Sequence, residues 1–126
     1  MMKNQWSDKK AAAAVWSFRR AGVPKPLADC IYASRLLGAA RKLVLHGGGN
    51  TSVKTHVFDL SGMPVEGLHV KASGHDLADI KANGFTTLDL GQLRRLEELN
   101  ALSDIDMLAA LTRAKLRPSE SAPSVE

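Results

Sequence analysis

His46-Gly47-Gly48-Gly49-Asn50-Thr51-Ser52 is the stretch on which the reading of this 126-residue chain turns. A residue without a Cβ reaches positive φ at little steric cost, so three consecutive glycines let the backbone turn sharply. Successive main-chain N–H groups can then converge on one anion. Asn50, Thr51 and Ser52 follow with short side chains that add an amide and two hydroxyls. A phosphate- or carboxylate-sized group fits such a trap, and the same stretch serves equally as a plain turn between a helix and a strand. It is not a Walker A loop, because Lys54-Thr55 lacks the G-x-x-x-x-G-K-[ST] spacing, nor does it read G-x-G-x-x-G, because position 52 is Ser.

The flanks punctuate themselves. Upstream, Ser7 before Asp8 and Gly22 after an alanine-rich run frame a first helix, with Val15, Trp16 and Phe18 expected on its buried side. Pro24 and Pro26 break the chain. Apolar residues at 27, 30, 31, 33, 36 and 37 then have the spacing of a second amphipathic helix, expected to stop at Gly38. Leu43-Val44-Leu45 is a short apolar run feeding the glycine turn. Downstream, 52–60 and 67–72 alternate as strands around a Gly- and Pro-containing turn, which predicts an antiparallel pair. A third strand is expected over 84–88. Asp89 with Gln92, and Ser103 with Asp106, then have the form of capping boxes opening short helices over 90–99 and 107–116. From Arg117 the composition of Ser, Pro and Glu reads as a flexible tail, 117–126, behind a domain over 1–116.

Three runs, Tyr32-Ala33-Ser34-Arg35-Leu36-Leu37-Gly38, Leu43 to Lys54, and Val70-Lys71-Ala72-Ser73-Gly74-His75-Asp76-Leu77-Ala78, together resemble the start of a class II aldolase/adducin domain. More narrowly they resemble the aldolase half of rhamnulose-phosphate aldolase/short-chain dehydrogenase fusion proteins, in order from Tyr32 to Glu126. The resemblance implies an α/β fold, layered α+β, with N-terminal helices on a mostly antiparallel sheet. It also implies a lyase of carbohydrate metabolism; the cytoplasm is expected on separate grounds, because no apolar signal core follows Met1 to Trp6 and the single cysteine suits a reducing compartment. In that family a Gly-Asn-x-Ser turn, a Ser/Thr-Gly pair and a Ser-rich segment hold the substrate phosphate. The corresponding residues here are Gly49, Asn50 and Ser52, then Ser73 and Gly74, then Ser124. Glu126 matches the catalytic acid/base, while Val125 stands where a second hydroxyl is often found. Lys71 beside the second segment either adds charge to an anion site or sits on the solvent face of a strand, and the solvent face is expected.

Zinc in the family is a Lewis acid held by a His-x-His pair and a later His. No H-x-H or H-E-x-x-H occurs here: His46, His56, His69 and His75 are separated by 10, 13 and 6 positions in different expected elements, each read as a surface or turn histidine. His46, opening the glycine turn, is the best placed to hydrogen-bond an anion or the turn itself. The resemblance therefore implies a truncated domain with no metal ligands of its own and no cofactor bound by the chain alone. Such a domain is expected to be catalytically silent and either homo-oligomeric or completed by a separate C-terminal half. A non-catalytic, adducin-like binding module is the alternative.

Composition bounds the rest. A net charge of +4 comes from scattered basic pairs without interleaved aromatics, which disfavours nucleic acid, and no apolar run approaches the length of a membrane span. The lone Cys30, on an expected apolar helix face, reads as an inert buried thiol. A small sugar phosphate or other anion is the expected partner.

Overall fold

Ser7 accepts a hydrogen bond from the Lys10 N–H and opens α1 (Asp8–Arg20) in the computed structural model, which describes residues 4–124. The buried residue of α1 is Ala11. Trp16, expected on the buried side, is 65% exposed, and its ring carries the Arg20 guanidinium 4.8 Å from its centroid. The wide ring fits the outer surface under a cation, whereas the small Ala11 lets the helix sit close to its neighbour. α2 (Lys25–Ala39) follows Pro24 and has Pro26 in its first turn, where a missing N–H removes no helical bond.

Gly38 does not stop α2 but lies within it, buried. A Cβ there would stand 2.2 Å from the Ala78 amide nitrogen, so the position has no room for a side chain. This is where α2 touches the short 3-10 turn Leu77–Asp79, and Leu27, Ile31, Leu77, Ile80 and Phe85 form the core cluster beside it. The Arg35 guanidinium closes the same seam by donating to the Ile80 carbonyl at 2.7 Å.

The sheet has three antiparallel strands in the order β1-β2-β3, with β1 Ser52–Phe58, β2 Pro64–Lys71 and β3 Phe85–Asp89. Ser52 pairs with Val70, and Val70 with Thr86. Asp59 ties the hairpin, its carboxylate accepting from the main chain of Ser61 and Met63 at 2.9 Å each. Asp89 caps α3 (Leu90–Arg95) through Gly91 and Gln92, and Ser103 caps α4 (Asp104–Arg113) through Asp106, both as the sequence predicts. α3 and α4 lie beside a second cluster of Val70, Leu88 and Ala114.

The segment assigned to a tail on composition is hydrogen-bonded through 116–124. Leu116 N–H donates to the Thr87 carbonyl, the Thr87 N–H donates to the Glu120 carboxylate, and the Thr86 hydroxyl donates to the Ser121 carbonyl. Residues 122–124 then run along the end of β2. The fold is thus α/β in class, helices on an antiparallel sheet. No helix among the described residues is long and apolar enough to cross a membrane.

His69 is buried, against the expectation of a surface histidine. Its Nδ1 lies 3.0 Å from the Thr87 hydroxyl, and its Nε2 is buried with no hydrogen-bond partner among the described residues. Burial, helped by the nearby Arg117 charge, lowers its pKa below 6.5. The folded state therefore keeps the ring neutral while the unfolded chain takes up a proton, so stability is full above about pH 6.5 and falls as the pH drops below it. The urea midpoint should fall from about pH 7.5 to about pH 5.5, and His69→Leu should flatten that dependence. Gly38→Ala should cost about 3 kcal/mol or more in the same titration, because backbone and not a flexible side chain blocks the added methyl.

Candidate anion-binding site

The glycine turn is held from three sides. Gly49 takes φ +81°, and a Cβ on it would meet the Leu77 side chain at 2.9 Å and Val44 at 3.1 Å, so this position needs glycine for both dihedral and space. The Gly48 N–H donates to the Leu45 carbonyl at 2.9 Å, which withdraws one of the expected anion donors into the turn. His46 reaches Asp76 rather than the turn, Nδ1 to Oδ2 2.6 Å, and Arg41 approaches the same carboxylate at 3.4 Å. The Asp76 carboxyl is held below the usual range chiefly by the Ala78 N–H, with Arg41 and His46 adding to it against partial desolvation.

Behind the turn, α2 supplies Ser34, fully buried, whose hydroxyl donates to the Cys30 carbonyl at 2.6 Å and lies 2.7 Å from the Thr51 hydroxyl. That pair pins the residue between Asn50 and Ser52. Cys30 beside them is half-buried with its thiol pKa pushed up by burial, against hydrogen bonds from Ser34 and Thr51, which keeps it a thiol rather than a nucleophile.

Three main-chain hydrogen bonds bring the expected segments together. The Lys71 N–H donates to the Thr51 carbonyl at 3.0 Å, the Ser124 N–H to the Lys71 carbonyl at 3.0 Å, and the Ser73 N–H to the Ala122 carbonyl at 2.9 Å. The stretches containing Asn50–Ser52, Lys71–Ser73 and Ala122–Ser124 are therefore neighbours although they lie from 19 to 74 positions apart in the chain. A cavity of about 490 Å³ opens beside them, with Asn50, Ser52 and Ser124 in its lining. Ser73 and Gly74 are exposed at the adjacent corner and do not line it. Glu126 lies outside the described residues.

Lys71 departs most from expectation. It is 1% exposed, not on a solvent face, and its Nζ donates to the Gly47 carbonyl at 3.2 Å. Its alternation with Val70 on a twisting strand turns it under the glycine loop, where the loop covers it. Sequence pattern misses this because the covering loop comes from 24 residues away. A second cavity, about 550 Å³, lies by Thr51–Val53, Trp6, Cys30 and Ala33, with the Lys25–Asp29 ion pair, N to O 2.7 Å, among its lining residues. Among the described residues no three His, Cys, Asp or Glu side chains gather so that they could hold a metal ion.

The N-terminal class II aldolase domain of a conserved protein from Thermoplasma acidophilum, a solved structure, matches the whole chain with a TM-score of 0.85 at 34% identity. The chain spans 53% of that structure. It is also 34% identical over all 126 residues to the uncharacterized oxidoreductase YuxG of Bacillus subtilis (strain 168), of whose length it covers 17%. No family model matches the chain. Helices, antiparallel sheet and glycine turn come in the order the sequence reading expects, and the likeness to the solved domain extends over every part of the chain. Over its whole length the chain has the fold of that N-terminal class II aldolase domain.

Proposed function

We propose that this chain carries the substrate-phosphate part of a zinc-dependent class II sugar-phosphate aldolase. In this reading Gly49, Asn50, Ser52, Ser73, Gly74 and Ser124 contact the phosphate and Glu126 is the acid/base. The observation that carries it is the hydrogen-bonded convergence of Asn50–Ser52, Lys71–Ser73 and Ala122–Ser124. Lys71 strengthens the case. An ammonium buried against a neutral carbonyl is unfavourable unless a counter-charge comes near it, and a phosphate at the turn supplies one.

The described residues do not fit a zinc site. Their own contribution is to bind and orient an anion, with Ser34 holding Thr51 and Lys71 supplying charge. The histidines that activate the carbonyl would come from a complementing half, and the 126-residue chain, alone or as a homo-oligomer, is inactive in this reading. The oxidoreductase name of the Bacillus relative supports a longer, bifunctional protein that pairs an aldolase part with a dehydrogenase part.

Calorimetric titration with inorganic phosphate should detect binding, and Lys71→Met should weaken it by about tenfold or more, the scale of one lost hydrogen bond to a charged group. Unchanged affinity in a folded Lys71→Met variant would remove Lys71 from the site. With dihydroxyacetone phosphate, lactaldehyde and Zn²⁺ the pure chain should give no aldol product; turnover would show that it needs no completing half.

A further inference from the structure

A cleft of about 390 Å³ opens between α3 and α4, and it shares no lining residue with the cavity beside the glycine turn. Arg95 from the end of α3 and Arg113 from the end of α4 both line it. Each stands in the last turn of its helix, where the unpaired carbonyls favour a cation. Two guanidiniums bordering one small cleft nevertheless repel each other, and neither has an ion-pair or hydrogen-bond partner among the described residues. The adjacent Arg94 differs, because the Glu66 carboxylate answers it at 2.6 Å. Asp89 is the one acid of the cleft lining, and its carboxylate is committed to the α3 cap, where it accepts from the Gly91 and Gln92 main chain. Positive charge is therefore in excess here, beside carbon supplied by Leu96 and Ala110.

We propose that this cleft is a second anion site, for a small dicarboxylate, with Arg95 and Arg113 as its anchors. A guanidinium is planar and permanently charged, and its fork of N–H donors matches the paired oxygens of a carboxylate. Two forks carried by two helices suit a ligand with a carboxylate at each end, while the methylenes that join the ends meet Leu96 and Ala110. The volume lies at the lower end of the range of small-molecule sites, which limits the ligand to a few carbons. Filling the cleft offsets the repulsion between the arginines and ties α3 to α4. The site stands independently of the phosphate reading, because none of its residues belongs to the glycine turn or its neighbours.

The test is calorimetric titration of the full chain with succinate and with butyrate at matched low ionic strength. Succinate should bind, and butyrate, a four-carbon acid with only one carboxylate, should bind about tenfold or more weakly, the scale of one lost hydrogen bond between charged groups. Arg95→Gln and Arg113→Gln should each weaken succinate by about tenfold or more, whereas Arg19→Gln, the same change of charge on α1, should leave it unaltered. Arg95→Lys keeps the charge and loses the fork, so its affinity should fall between those of the unaltered chain and Arg95→Gln. Both arginines are exposed, and circular dichroism checks that the variants fold; if Arg113→Gln does not, Arg113→Lys takes its place. Absence of succinate binding by the unaltered chain overturns the proposal. Succinate affinity that is unchanged in the folded arginine variants, or that falls equally in Arg19→Gln, overturns it as well.

Discussion

A lysine buried under a glycine loop is the constraint around which this end of the molecule is arranged. The main chain of Lys71 donates to Thr51 and accepts from Ser124, while its side chain donates to Gly47. One residue thus joins the glycine turn, the end of β2 and the segment returning from α4. Because each bond is to backbone, the convergence is indifferent to many side-chain changes and sensitive to the path of the chain. The side-chain amine is enclosed by the loop, with the Gly47 carbonyl as its hydrogen-bond acceptor.

The two faces of the sheet divide the work. One face meets α2 and the core around Ile31 and Phe85, and the contact is close enough that Gly38 admits no methyl. That tight seam fixes α2, and through the Ser34–Thr51 pair α2 fixes the residue between Asn50 and Ser52. The other face carries α3 and α4 more loosely, with no fully buried residue in α4. A polar turn thus stands on one side of the cavity and a lightly packed apolar wall on the other.

His69 and Arg117 show how the returning segment also shapes the sheet's interior. Arg117 donates to the Phe58 carbonyl at 2.6 Å, bringing a cation across to β1, and His69 stays neutral nearby. Segment 116–124 is therefore part of the sheet's environment, through Thr86, Thr87 and Lys71, and its Ser- and Pro-rich composition reflects a path of isolated bridges in place of a regular strand.

The sequence by itself determined the local events. Ser7, Asp89 and Ser103 cap their helices, the break at Pro24 and Pro26 marks the entry to α2, and the alternation read over 52–60 and 67–72 marks the hairpin whose strands run over 52–58 and 64–71, because caps, turns and periodicity depend on residues within a few positions of each other. Gly49, Asn50 and Ser52 stand in the glycine stretch that the residues themselves single out, whereas Ser124 is marked only by the family resemblance. Tertiary structure alone decided that Lys71 and His69 are buried, that Trp16 is exposed, that Gly38 is a contact point and not a helix end, and that residues beyond 116 pair with β3 and β2. Each of these depends on which distant segment covers a given face, and a strand or helix carries the same alternation whether its polar positions meet water or another part of the chain.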